Sequence, residues 1–177
     1  MQMRMLFIIA AILLFSGPAL AQSPGEKTGV KEVLGISPSM PDFVKQVAIS
    51  DMFEIQSSEL AMQRGDATTK AFAGQMISAH RKTSDEMKEL VASGKVKETL
   101  PTKLDSAHQE KLDKLEGLHG MDFSKQYRRD QIEAHKDAVS LFERYADGGD
   151  NPALKDWAGK TLPALRRHLE MAEQLEK

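Results

Sequence analysis

The sequence predicts an all-α protein with four main helices and a short extra helix in the second connection. Three observations predict this fold class. Apolar residues recur every three or four positions over long stretches, no segment alternates apolar and polar residues as a half-buried strand would, and turns rich in glycine or proline separate the stretches. About 155 residues follow the N-terminal leader, a length that suits one domain with one core.

Stop and cap residues divide these stretches into helices. Gly65 ends the first helix and Asp66 caps the second. The segment 147–152 is the clearest turn, because its glycines tolerate positive φ, its Asp and Asn can cap, and Pro152 suits the first position of a helix. Pro163 removes one backbone hydrogen bond inside the last helix and is expected to kink it. The expected helices span residues 43–64, 67–92, 106–118, 122–146 and 152–175, with Asp122 as a cap.

The first 21 residues have the pattern of a secretory signal peptide. A basic start at Arg4 precedes an apolar run over 6–15 and a small-x-small site that ends at Ala21. The apolar run is about half the length that a membrane span needs. We therefore expect export to the periplasm, or outside the cell or onto the envelope surface. The expected organisation is a signal peptide at 1–21, a flexible tether rich in glycine and proline at 22–40, and a helical domain at 41–177.

Composition excludes several classes of function. The chain has no cysteine, which excludes disulfides, thiolate chemistry, a lipid anchor on cysteine and zinc sites of the cysteine type. Without Arg4, 23 basic side chains face 26 acidic ones, and the two signs are interspersed along the helices. No basic face for nucleic acid or an anionic membrane is present. After the leader, no segment of the sequence is apolar enough to span a bilayer.

Three histidines fall on the apolar sides of three different helices. His80 and His168 lie at the middle of their apolar stripes, and His135 lies on the inner flank of its stripe. One imidazole on each of three helices suggests a shared interior site. The first helix adds Asp51, Glu54 and Glu59 on or beside its own apolar side.

Chain distance from the turns indicates whether these side chains can meet. If the helices alternate up-down-up-down, the turns at Gly65 and Gly149 lie at the same end, and each residue away from a turn adds about 1.5 Å of depth. The candidates then fall at similar depths. Asp51, His80 and His135 share one level within about 2 Å, Glu54 and His168 lie about one helical turn to either side, and Glu59 lies too near the end.

Imidazoles with one or two carboxylates suit zinc, copper, iron or nickel. A di-iron carboxylate bundle requires Glu-x-x-His on two helices, but the residues three positions before the histidines are Ile77, Ile132 and Leu165. That absence removes most of the case for ferroxidase or oxygenase chemistry. Met76, four residues before His80, adds a copper hypothesis, although methionine at helical spacing usually fills a core.

Two other interpretations remain open at this stage. The same side chains could form a metal-free hydrogen-bond network in a non-catalytic structural or interaction module of the envelope. A hydrolase or oxidoreductase would need a substrate-sized cleft that reaches His80, and the sequence contains no Gly-x-Ser-x-Gly, phosphate-binding loop or His-Glu-x-x-His. The sequence therefore leans away from an enzyme.

An ordered set of short motifs resembles the secreted bacterial family called domain of unknown function 4142. The resemblance covers about 41–176 and implies a ferritin-like fold, so the expected architecture is a ferritin-like up-down four-helix bundle. It places Glu54, His80, His135 and His168 on recurrent polar positions and favours Glu54 over Asp51. Members are often labelled outer-membrane proteins and have no agreed activity. The motifs are Asp42-Phe43-Val44, Glu54-Ile55, Leu60-Ala61, Lys70-Ala71-Phe72-Ala73, Met76-Ile77, His80, Phe123, Tyr127, His135, Leu141-Phe142, Asp150-Asn151-Pro152-Ala153-Leu154-Lys155, Leu162-Pro163 and His168-Leu169.

The sequence thus predicts an exported helical bundle that binds one transition-metal ion through Glu54, His80, His135 and His168, with Asp51 as the alternative carboxylate ligand. Zinc, copper, iron and nickel are the candidate ions, and metal storage, metal sensing or envelope stress are the candidate roles.

Overall fold

The computed structural model describes residues 35–175. Within that range the chain is all-helical, with five helices and no strand, as predicted. Each boundary lies within three residues of its expected position. None of the helices in this range is both long and apolar enough to cross a membrane. The helices are α1 (Met40–Arg64), α2 (Ala67–Ala92), α3 (Ser106–Glu116), α4 (Gly120–Gly148) and α5 (Pro152–Gln174).

The expected signal peptide at 1–21 and most of the expected tether at 22–40 lie outside the described residues. The described end of the tether contacts the folded helices. The Ile36 carbonyl accepts a hydrogen bond from Arg144 Nη1 at 3.0 Å.

Polar side chains cap most of the helices. Ser39, Asp66, Asp105 and Asn151 each accept a hydrogen bond from a backbone N–H in the first turn that follows. The expected cap of α4 at Asp122 is wrong. The helix begins earlier, at Gly120, whose φ of +54° favours glycine, and Asp122 lies within the first turn.

The four long helices contact one another in a ring. α1 packs on α2 and α4 packs on α5, while α1 also contacts α4 and α2 contacts α5. Two apolar clusters fill the interior. Phe43 stacks on Tyr145 at 3.9 Å between ring centroids in one cluster, and the other contains Phe53 and Tyr127. Along each long helix the candidate ligands lie between residues of the two clusters, so they form a polar layer across the interior.

The four long helices do not follow the up-down-up-down order on which the expected depths of the candidate ligands depend. At the start of α1, Met40 N donates to Asp150 Oδ2 at 3.3 Å, so the α4–α5 turn lies at that end. At the other end of α1, Arg64 Nη1 donates to the Leu118 carbonyl at 3.0 Å, close to the start of α4. The turns at Gly65 and Gly149 therefore lie at opposite ends, and the up-down-up-down alternation is wrong.

The physical reason is the connection between α2 and α4. Residues 93–119, which include α3, pass from the end of α2 to the opposite end of the four long helices, so α4 starts beside the end of α1. The carboxylates of α1, His80 and His135 still meet because they lie near the middle of their helices, where depth measured from either end is similar. His168 lies in the second half of α5, nearer the end of that helix.

Candidate metal centre

Three imidazoles from three helices meet in the polar layer. One ring nitrogen from each of His80, His135 and His168 lies within 4.8 Å of the other two. The ring centroids are 5.5, 5.8 and 5.5 Å apart. His80 and His135 are 3% and 1% exposed, whereas His168 is only partly buried. The three imidazoles therefore converge, although His168 was expected about one helical turn from the level of His80 and His135.

The spacing is close to that of a metal site. Nitrogens at about 2.05 Å from a tetrahedral ion lie about 3.3 Å apart. A triangle with sides of 4.8 Å, the largest separation here, puts each nitrogen about 2.8 Å from its axis, compared with about 1.9 Å around such an ion. Each nitrogen would move inward by less than about 1 Å, which small rotations of the side chains achieve.

Asp51 lies directly behind His80. The Nδ1 atom of His80 donates to Asp51 Oδ1 at 2.8 Å, and the other carboxylate oxygen accepts from Thr83 Oγ1 at 2.8 Å and Ser84 Oγ at 3.1 Å. Burial lowers the pKa of His80, but the hydrogen bond and charge of Asp51 outweigh burial, so this pKa lies above its ordinary value. His80 Nε2 is buried without a partner. Both Asp51 oxygens accept hydrogen bonds from protein groups, and Asp51 contacts the cluster through His80.

His135 is oriented in a similar way. Its Nδ1 donates to the backbone carbonyl of Gln131 at 2.8 Å, and Nε2 is buried without a partner. Burial, together with the charge of His80, lowers the pKa of His135 to about 3. The ring is therefore neutral at physiological pH, with the lone pair on Nε2 free to bind a metal.

His168 has no such acceptor. Its Nδ1 is buried without a partner, and no residue of the described chain accepts a hydrogen bond from this ring. Burial, followed by the charge of His80, lowers the pKa of His168 to about 4, so this imidazole is also neutral. The cluster thus offers three ring nitrogens with no protein partner.

Glu54 lies next to His135, outside the group of three ring nitrogens that lie within 4.8 Å of one another. It is 1% exposed, and neither carboxylate oxygen has a hydrogen-bond partner. Its Oε1 lies 3.9 Å from His135 Nδ1, but that ring is neutral and donates to Gln131, so the contact is not an ion pair. Burial raises the pKa of Glu54 to about 7, although the charge of His80 opposes the shift. The nearby Gln131 amide also lowers this pKa, but it donates its hydrogen bond to Ser57 Oγ at 3.3 Å.

The sequence reasoning missed a set of buried polar neighbours. Ser58 Oγ pairs with the Tyr127 hydroxyl at 2.9 Å, and Gln131 Oε1 and Asp130 Oδ2 are buried without partners. Helical spacing could have indicated Gln131, because it precedes His135 by four positions and therefore shares its face.

The remaining candidates lie elsewhere. Glu59 forms a surface ion pair with Arg81 at 2.8 Å, and Met76 belongs to an apolar cluster. A groove on the outer face of α2 does not include His80 in its lining, so it gives no support to an enzyme that uses the cluster. Its lining residues are Gly74, Ile77, Ser78, Arg81, Lys82, Asp85, Glu86 and Glu89.

Fold and site together define an all-helical protein whose interior holds a cluster of three imidazoles and two carboxylates. The family described as a domain of unknown function (DUF4142) matches residues 25–175, and the chain belongs to this family. No curated protein matches the chain, and no solved structure does. The family's description assigns no activity to its members, and a fold alone does not specify one.

Proposed function

We propose that this protein is an exported, ferritin-like four-helix bundle that binds one divalent transition-metal ion through His80, His135 and His168, with Glu54 as the fourth ligand. The observation that carries this proposal is the convergence of unpartnered nitrogens. His80 Nε2, His135 Nε2 and His168 Nδ1 are all buried without a hydrogen bond, and the three rings lie within contact distance of one another.

Unpartnered polar atoms favour a ligand over a structural network. Buried polar groups in proteins are almost always hydrogen-bonded, and each one left without a partner costs about 1–3 kcal/mol. A network retained for stability would pair the inner nitrogens of the histidines with one another or with Glu54. Instead, the hydrogen bonds lie on the outer sides of His80 and His135 and leave their inner nitrogens free. Metal-binding histidines typically have this arrangement.

The ligand set suits zinc, copper, iron or nickel, because imidazole serves all four ions and a carboxylate adds negative charge. We propose a role in holding the ion, for metal storage, metal sensing or protection of the envelope. The ring of four long helices and the long connection between α2 and α4 support the ferritin-like assignment. The leader at 1–21 supports export.

One observation favours the metal-free module as the second candidate. Around Asp51 the network is complete, since its two oxygens accept three hydrogen bonds from His80, Thr83 and Ser84. A protein that uses only this part of the layer would be stable without metal and would act as a structural or interaction module.

Elemental analysis tests the proposal. The chain from Gln22 onward is purified without a His-tag beside the double variant His80→Ala/His135→Ala and the control His119→Ala, which removes an exposed imidazole. We expect near-stoichiometric metal in the wild type and in the control, and none in the double variant. Absence of metal from the wild type after incubation with zinc, copper, iron and nickel would refute the proposal and leave the metal-free module.

A further inference from the structure

We infer that the metal ion enters and leaves the cluster at His168, along the seam between α2 and α5, by a movement of the second half of α5. This inference rests on the proposed metal site. Three features of the described residues distinguish His168 and α5 from the other ligands and helices.

The first feature is the unequal support of the three imidazoles. The rings of His80 and His135 are fixed by acceptors on their outer sides, which are Asp51 Oδ1 and the Gln131 carbonyl, each at 2.8 Å. His168 has no such acceptor among the described residues and is the only partly exposed member of the three. A ligand whose ring is not held can rotate away at the lowest cost, so it is the one that releases the ion first.

The second feature is the break in the backbone hydrogen bonding of α5. Pro163 lies inside the helix and has no N–H, so it cannot bond the carbonyl of Gly159 one turn earlier. Gly159 itself lowers the local preference for the helix. This turn immediately precedes His168, so a small bend here moves the His168 side chain.

The third feature is the limited contact between α5 and α2. This pair has the least extensive contact of the four helix pairs in the ring. Trp157 Nε1 donates to Glu86 Oε2 across the seam at 2.8 Å, but this bond lies before Pro163. After Pro163, the described side-chain bonds of α5 reach α4, as in the Arg166–Glu143 pair at 2.8 Å. The second half of α5 can therefore move away from α2 without breaking a hydrogen bond across that seam.

These features define an order of binding. The ion first meets His80 and His135, whose rings are already oriented, and His168 closes on it last. Release follows the reverse order. Restoring the missing backbone bond in α5 should therefore slow uptake and release together without changing the affinity.

The variant Pro163→Ala tests this order, with Gly74→Ala as its matched control. Gly74 lies within α2, on its exposed side, and an added Cβ would meet only Met62 Sδ at 3.8 Å. Both substitutions favour the helix and raise stability, but only Pro163→Ala lies beside His168. Stopped-flow absorbance follows Co²⁺ binding to the metal-free protein and Co²⁺ release into excess chelator.

We expect Pro163→Ala to slow uptake and release each by about five-fold, as one added helical hydrogen bond implies, with Kd unchanged. Gly74→Ala should leave both rates at the wild-type values. Equal rates in all three proteins would overturn the inference and leave the metal site standing. Equal slowing in both variants would also overturn it, because release would then require opening of the whole fold. A wild type that binds no Co²⁺ would refute the metal site itself.

Histidine modification supplies a second, independent test. Diethyl pyrocarbonate is applied to the metal-free wild type, and the modified histidines are identified by mass spectrometry. We expect His168 to react faster than His80 and His135 and to be protected by Co²⁺, with exposed His119 reacting equally in both states. Reaction of His80 or His135 at the rate of His168 would overturn the inference.

Discussion

Replacing His135 with leucine separates a metal site from a structural network, because the two hypotheses predict opposite effects on the metal-free protein. His135 is 1% exposed, and leucine fills a similar volume in the interior. The substitution removes one hydrogen bond, from Nδ1 to the Gln131 carbonyl, and it also removes Nε2, which is buried without a partner.

The expected magnitude follows from these two atoms. Loss of the hydrogen bond lowers the free energy of unfolding by about 1 kcal/mol, and removal of an unsatisfied buried nitrogen raises it by about 1–3 kcal/mol. In the presence of chelator, His135→Leu should therefore be as stable as the wild type or more stable by up to about 2 kcal/mol. Zinc at 100 times Kd should then stabilise the wild type by about 2.7 kcal/mol and leave the variant unchanged.

Urea unfolding followed by circular dichroism, with chelator and with zinc, measures both effects. His119→Leu is the control, because it makes the same chemical change at an exposed position and should alter neither the stability in chelator nor the response to zinc. A variant that is less stable than the wild type by more than about 2 kcal/mol in chelator would refute the reasoning, since His135 would then be contributing to a structural network.

Three further predictions follow from other contacts. Asp51→Asn should weaken metal binding by about 10–100-fold, measured by competition with a chelator, because a neutral amide orients His80 less firmly; unchanged affinity would show that the Asp51 contact is irrelevant to binding. In the metal-free protein, Glu54→Gln should become increasingly more stable than the wild type as pH rises from 5 to 8. The folded-state pKa of about 7 exceeds the ordinary 4.5, so ionisation of Glu54 destabilises the wild type by up to about 3 kcal/mol, and parallel pH profiles of unfolding would contradict this. Arg64→Met should lower the free energy of unfolding by about 1–3 kcal/mol in urea titrations, because Nη1 donates to three carbonyls at 2.7–3.2 Å; a loss below about 0.5 kcal/mol would contradict that role.

The sequence predicted the helices well because local signals define them. Gly65 with Asp66 and the turn before Pro152 combine a stop, a cap and a fixed φ, and these act over a few residues. The start of α4 was misplaced by two residues because Asp122 competes with Gly120, whose positive φ lets the chain turn into the helix earlier. The first residue of α4 therefore depends on backbone dihedral angles, which the amino-acid composition does not determine.

Local sequence signals define where helices end, but they do not determine the direction of one helix relative to another. Residues 93–119 could form a short turn or could run along the helices from one end to the other. Contacts between distant residues decide this, such as those of Arg64 with the carbonyls at the end of α3. His80 and His135 nevertheless meet as expected, because central positions are insensitive to direction; this reason does not extend to His168, which lies nearer the end of α5. Helical spacing could not separate the roles of Asp51 and Glu54, because both side chains are buried. Asp51 accepts hydrogen bonds from His80, Thr83 and Ser84, whereas Glu54 accepts none, and these contacts depend on the packing of α2 against α1.

The charges of Asp51 and Glu54 also bear on the oxidation state that the proposed metal site would favour. Without metal, the hydrogen bond and charge of Asp51 outweigh burial and favour the protonated form of His80, while burial raises the pKa of Glu54 to about 7, so both shifts favour a cluster without net charge. A divalent ion that displaces both protons leaves two carboxylates, three neutral rings and again no net charge. A monovalent ion needs to displace only one of these protons to leave no net charge, whereas a trivalent ion that displaces both leaves one uncompensated charge in the interior, which costs several kcal/mol. Iron bound in the proposed site would accordingly be kept ferrous.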